Sequence, residues 1–166
     1  LAHRTGITVD IVDNDATRDD FWEISGTLYD LDTALNDGLP GETIYIFLNG
    51  AQVGYATTSI SGEFTASIRA DSSYDRGTHT MTFAFDGSTG HLPVQSNQTV
   101  VTFNLDRVGA KKFGKATSSS IGKRLAIVLD GKIISAPSIN EAITSGSGII
   151  SGNFSFQEAT DLALLL

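Results

Sequence analysis

Through the first hundred positions apolar and polar residues alternate in short runs, and turn-forming residues separate the runs. Ile7-Thr-Val-Asp-Ile11 and Trp22-Glu-Ile-Ser-Gly-Thr-Leu28 keep a period of two, which puts every second side chain on one face of a strand. Leu39-Pro-Gly-Glu42 punctuates, and a further run covers 43–48. Asn49-Gly50 then gives the strongest short hairpin signal, because both residues accept positive φ. Runs over 53–58, 63–68, 77–85 and 98–103, with a Ser61-Gly62 turn, complete about seven strands at the spacing of a β-sandwich. Trp22, Ile24 and Leu28 are candidates to fill its core.

After residue 100 the pattern changes to mixed helix and strand. Val101, Phe103 and Leu105 alternate as a strand. Asp106 then stands where a carboxylate accepts the free N–H groups of a first helical turn, predicting a helix over 107–117. Leu125-Ala-Ile-Val-Leu129 reads as a strand, turned by Asp130-Gly131 into Lys132-Ile-Ile-Ser135, which Pro137 ends. A loop leads to a short strand over 148–152. Ser155-Phe-Gln-Glu158 has the form of a capping box. It opens a helix with Ala159, Leu162, Ala163 and Leu166 on one face. The order strand–helix–strand–strand–strand–helix is that of a small α/β layer.

Charge divides the chain at the same place. Residues 1–99 hold no lysine, 4 arginines and 14 carboxylates, whereas 100–166 hold 5 lysines, 2 arginines and 5 carboxylates. The formal net charge of -8 is therefore −10 from the first part and +2 from the second. Such a shift is expected of two modules with separate histories. Neither part has the basic face that nucleic acid demands. The chain has no cysteine, which excludes disulfides and thiolate metal sites. No apolar run is long enough to span a bilayer, and the start LAHRTGITVD lacks a signal peptide's layout, so a soluble piece of a longer protein is expected.

The segments VTFNLDRVGAKKFGKAT, GKRLAIVLDGKIISAP and GSGIISGNFSFQEATDLALLL resemble the C-terminal part of the first periplasmic domain of SecD, the membrane subunit that assists protein export. The resemblance covers about two-fifths of the chain. It implies an extracytoplasmic location, periplasmic or cell-surface, and contact with translocating or unfolded polypeptide or with Sec components. It carries no catalytic residues, since proton coupling in that family belongs to the membrane-embedded part. Ahead of it, Gly26-Thr-Leu28, Leu39-Pro-Gly-Glu-Thr-Ile44, Leu48-Asn-Gly-Ala-Gln-Val-Gly54 and Gly77-Thr-His-Thr-Met-Thr82 resemble a prokaryotic cell-surface immunoglobulin-like repeat. Such repeats serve as stiff spacers or adhesive modules.

The expected fold is thus two modules: an all-β immunoglobulin-like sandwich over 1–99, then a SecD-like α/β module over 100–166, half of a ferredoxin-like arrangement. The expected function is non-enzymatic binding in late protein export. The alternative is an extracellular structural or adhesive protein with the SecD-like segment appended or fused by engineering near Val100. Gln98-Thr-Val-Val-Thr-Phe103 would then serve as the last strand of one module and the first of the next.

Candidate chemistry is sparse. No Gly-x-Ser-x-Gly elbow is present, and Ser118-Ser-Ser120 reads as a polar helix end. Gly146-Ser-Gly148 lacks the Gly-Lys of a phosphate loop. His3, His79 and His91 show no i, i+4 ligand pair and read as ordinary surface residues. Calcium is the one cofactor candidate, on Asp10, Asp13 and Asp15 with Asp19 and Asp20 beside them. Loop carboxylates are the hard ligands calcium takes, but the spacing lacks the glycine and terminal glutamate of an EF-hand. A solvated acidic loop is the commoner outcome of such a cluster. No catalytic and no partner-binding residues stand out.

Overall fold

Each alternating run of the first part forms a strand. These are β1 (Thr5–Asp13), β2 (Phe21–Asp30), β3 (Thr43–Leu48), β4 (Ala51–Thr57), β5 (Glu63–Arg69), β6 (Gly77–Phe85) and β7 (Val94–Asn104). There follow α1 (Arg107–Ser118), β8 (Ile127–Leu129), β9 (Lys132–Ser135), β10 (Ser147–Ser151) and α2 (Phe156–Leu165). The computed structural model describes residues 1–13, 21–69, 77–129, 131–136, 138–139, 142–151 and 155–165. Among them strand predominates over helix, so the fold is β-rich. No helix among them is long and apolar enough to cross a membrane.

The chain gathers into two compact units. One comprises Leu1–Ile11, Glu23–Ile68 and Thr80–Gln98; the other comprises Val12–Trp22, Arg69–His79 and Thr99–Leu166. The passage at Gln98/Thr99 coincides with the change in charge, but four further passages precede it.

In the first unit β1, β2 and β5 form one sheet in the order β1-β2-β5, and β7-β6-β3-β4 are neighbours in a second. Asn49 and Gly50 close the β3–β4 hairpin with φ of 50° and 83°. That conformation is one a β-branched residue would resist, which is why this dipeptide signals a turn. Alternation along β3 buries Ile44, Ile46 and Leu48, and along β5 buries Phe64, Ala66 and Ile68 with polar residues outward. Leu28, Met81 and Phe83 are buried as well. Each large apolar side chain so removed from water contributes about 1.5–3 kcal/mol.

In the second unit β7 pairs antiparallel with β10, from Ser147 opposite Asn104 to Ser151 opposite Val100. Val101, Phe103 and Ile150 share one face of this pair. Ala159 and Leu162 of α2 close over them, with Phe113 of α1 and Ile127 at the margin. The Phe103 and Phe113 rings meet edge to face, 5.7 Å between centroids, the arrangement their quadrupoles favour. This is a layer of two helices on strands. The strands β8 and β9 stand in a two-stranded sheet of their own, with Val128 opposite Ile133 and Leu129 opposite Lys132. Pairing between runs only two residues apart closes the smallest loop, so local pairing costs the least chain entropy.

Candidate functional site

Among the described residues of the second unit, the β8–β9 hairpin pairs two exposed apolar side chains across its strands. Ile127 is half-buried against the Val101–Phe103 cluster. Val128, the next residue, follows a shift in the pairing register and is 54% exposed. Its cross-strand partner Ile133 is 68% exposed. Two β-branched residues thus sit opposite each other on an open face, where cross-strand side chains reinforce one another. Gly131, at φ 77°, turns the hairpin, and Arg124 Nε donates to the Ala136 carbonyl at 2.8 Å below it.

Local chemistry holds the elements around the hairpin. Asp106 caps α1, its carboxylate accepting from the Gly109 N–H at 2.7 Å. Ser155 and Glu158 form the expected capping box: the Glu158 N–H donates to the Ser155 hydroxyl at 3.2 Å, and the Ser155 N–H donates to Glu158 Oε2 at 3.0 Å. The Ser155 backbone and hydroxyl bonds hold the Glu158 carboxyl below its ordinary value, with a smaller opposing effect of burial and help from Lys132. The loop before β10 is tied to α1. Thr117 Oγ1 accepts the Ile143 N–H at 2.9 Å and donates to the Phe113 carbonyl at 2.8 Å. Gly146 takes φ 82°, and its carbonyl accepts the Leu105 N–H at 2.6 Å. A Cβ there would run into Ala110, so glycine is required for packing as well as for φ. The Gly146-Ser-Gly148 segment is accordingly a strand entry.

Among the acidic candidates, Asp10 lies exposed on β1. It lines an open groove with Thr8, Ser25, Thr27, Glu63 and Phe64. The Asp13 side chain and Asp15, Asp19 and Asp20 lie outside the described residues. Trp22 is buried. His79 departs from the surface expectation: it is buried, with Nε2 3.0 Å from Thr102 Oγ1. Its place in the alternation of β6 puts it inward, and the Thr102 hydroxyl satisfies the ring.

The other two histidines come together, which spacing along the chain did not suggest. His3 Nδ1 lies 2.6 Å from Asp30 Oδ2, and His91 Nε2 lies 3.5 Å from the same oxygen. The two rings meet edge to face at 5.9 Å. Backbone bonds from the His3 N–H to the Gly90 carbonyl and from the Leu92 N–H to the His3 carbonyl, each 2.8 Å, set this approach. Arg4 locks the same arm through Asp32, donating from Nε to Oδ1 at 2.9 Å and from its N–H to Oδ2 at 2.7 Å. Asp30 is only 4% exposed. Burial pushes its carboxyl up, but the His3 hydrogen bond, the Asp32 N–H and the two imidazoles together hold it below its ordinary value.

The model of the SecDF P1 head subdomain matches residues 83–166. Protein translocase subunit SecD of Rickettsia conorii is 58% identical over 72 residues, 43% of this chain and 14% of that protein. SecD of Rhodobacter capsulatus is 59% identical over 66 residues, 40% of this chain and 12% of that protein. The chain thus spans a small part of the curated relatives it matches. A solved structure of the membrane component SecDF that enhances protein export is similar at 41% identity, covering 49% of this chain and 34% of that one, with a TM-score of 0.37. The subdomain match begins at Phe83, within β6, and β7 runs unbroken through residue 100. The expectation of an engineered join near Val100 therefore finds no support. With half its length matched, residues 83–166, this chain belongs to the SecDF P1 head subdomain family.

Proposed function

We propose that this chain is a non-enzymatic, extracytoplasmic module that serves protein export by contacting translocating polypeptide through the β8–β9 hairpin. The observation that carries the reading is the exposed Val128–Ile133 pair within the part matched to the head subdomain. An unfolded chain in transit offers apolar side chains and unpaired backbone groups. A short hairpin with an open apolar face, whose strands pair only with each other among the described residues, suits both, since an extended segment can add beside a strand and seat alternate side chains. The curated relatives are named for protein translocation, which supports the same direction. Sec components are the second class of partner that this relationship suggests.

We read the two sheets of the first unit, β1-β2-β5 and β7-β6-β3-β4, as an immunoglobulin-like sandwich that carries the α/β module as a spacer would. The family match falls on residues 83–166, and no observation favours an adhesive role for the sandwich.

A photoreactive side chain placed at Val128 or Ile133 tests the reading against an unfolded export substrate. Crosslinking several-fold above that from Tyr55, an equally exposed position on β4, is expected. Equal yields at all three positions would sink it. Val128→Asp and Ile133→Asp, each made singly, should abolish the contact while lowering the melting temperature by no more than about 4 °C, because both side chains are more than half exposed and lose only their cross-strand contact.

A further inference from the structure

We infer that His3, Asp30 and His91 form a binding site for a divalent transition-metal ion, with zinc the ion best suited to the set. The three ligand atoms, His3 Nδ1, Asp30 Oδ2 and His91 Nε2, lie within 4.8 Å of one another. Two imidazoles and one carboxylate are the donors that zinc and its neighbours take, and three protein ligands leave a fourth position for water. Tetrahedral zinc with bonds of about 2.0–2.1 Å sets its ligands roughly 3.3 Å apart. His91 Nε2 and Asp30 Oδ2, 3.5 Å apart, already have that spacing. The His3–Asp30 contact of 2.6 Å must open by less than about 1 Å. The His3 side chain is 48% exposed and free to swing that far.

Two further features point to a ligand. Asp30 Oδ1 accepts the Asp32 N–H at 2.8 Å, which turns Oδ2 toward the histidines and orients it as ligating carboxylates usually are. His91 Nε2 is 3.5 Å from the Asp30 carboxylate oxygen, long for a hydrogen bond. A cation between Nε2 and the carboxylate would satisfy that nitrogen. It would also clip the arm carrying His3 to the loop carrying His91, two segments otherwise joined there by backbone bonds.

Zinc titrated into the full chain and followed by calorimetry tests the site. One ion per chain is expected, with a melting temperature raised by about 5–10 °C when free zinc exceeds the dissociation constant a hundredfold. His91→Ala, Asp30→Asn and His3→Gln should each weaken binding by at least about tenfold. His3→Gln keeps the backbone bonds of residue 3 and a side-chain N–H for Asp30, so it should still fold with a cooperative zinc-free melt, and it remains decisive if another variant fails to fold. Cobalt as a probe should give intense tetrahedral d–d bands that all three variants lose. Absence of zinc binding tighter than about 1 mM, or binding that persists unchanged in His91→Ala, would overturn the assignment.

Discussion

Thr117 is 1% exposed, and its hydroxyl links α1 to the loop at Ile143. Replacing it by valine keeps the shape and removes the acceptor. Thr117→Val should therefore leave the part-buried Ile143 N–H unpaired, at a cost of about 1 kcal/mol, read as a lower urea midpoint with unchanged slope. Thr117→Ser restores the oxygen and should recover most of the loss. At the helical period Ala110, Phe113 and Thr117 share one face, a pattern the sequence carries by itself. The partner of Thr117, 26 residues onward, was not legible, because a hydroxyl's acceptor role depends on which loop the fold brings to it. Gly146 gives the same lesson: its type was visible as a weak phosphate-loop signal, while its positive φ and contact with Ala110 came only with the fold.

Among the elements, the capping box of α2 ties stability to pH. The folded-state value of Glu158 lies below 4.5, its ordinary value, so the ionised form is the one the fold favours. The stabilisation is complete above the unfolded value and is lost as pH falls through the lower folded one. The acid limb of a stability–pH profile should consequently flatten in Glu158→Gln, whereas the parent loses stability through that window. Urea midpoints at a series of pH values below about 5 supply the measurement. Short-range signals of this kind were legible in advance: the Asp106 cap, the capping box, the Asn49-Gly50 turn and the β3, β6 and β9 runs all act within a few residues. The separate β8–β9 sheet was not, since periodicity gives a strand's faces but not its neighbours. His79 was misjudged for a related reason: polarity suggests the surface, but alternation and the Thr102 hydroxyl place it inside.

For the whole molecule, composition marked a break near residue 100, and the chain does pass between units at Gln98/Thr99. The second unit nonetheless includes Val12–Trp22 and Arg69–His79, so a cut at that point removes parts of the unit itself. Residues 100–166 expressed alone lose His79 from beside Thr102, and the inward face of β7 at Val100 and Thr102 is opened to water. That fragment should show no cooperative thermal transition and a poorly dispersed amide spectrum. A sharp melt near that of the full chain would show it to be self-sufficient. The His3–Asp30–His91 cluster belongs to this scale as well. His3 and Asp30 are 27 residues apart and His91 lies far beyond both, so no local spacing rule reaches them.

The bond from Ile143 to Thr117 has a kinetic consequence. Loop amides ordinarily trade their hydrogens for solvent deuterium within moments, since nothing protects them. The Ile143 amide is held by a side chain on a helix, so it should exchange only when α1 itself loosens. One slow amide between two fast neighbours would then act as a clock for that helix, and its rate would fall in step with those of the amides at Thr117 and Ser118.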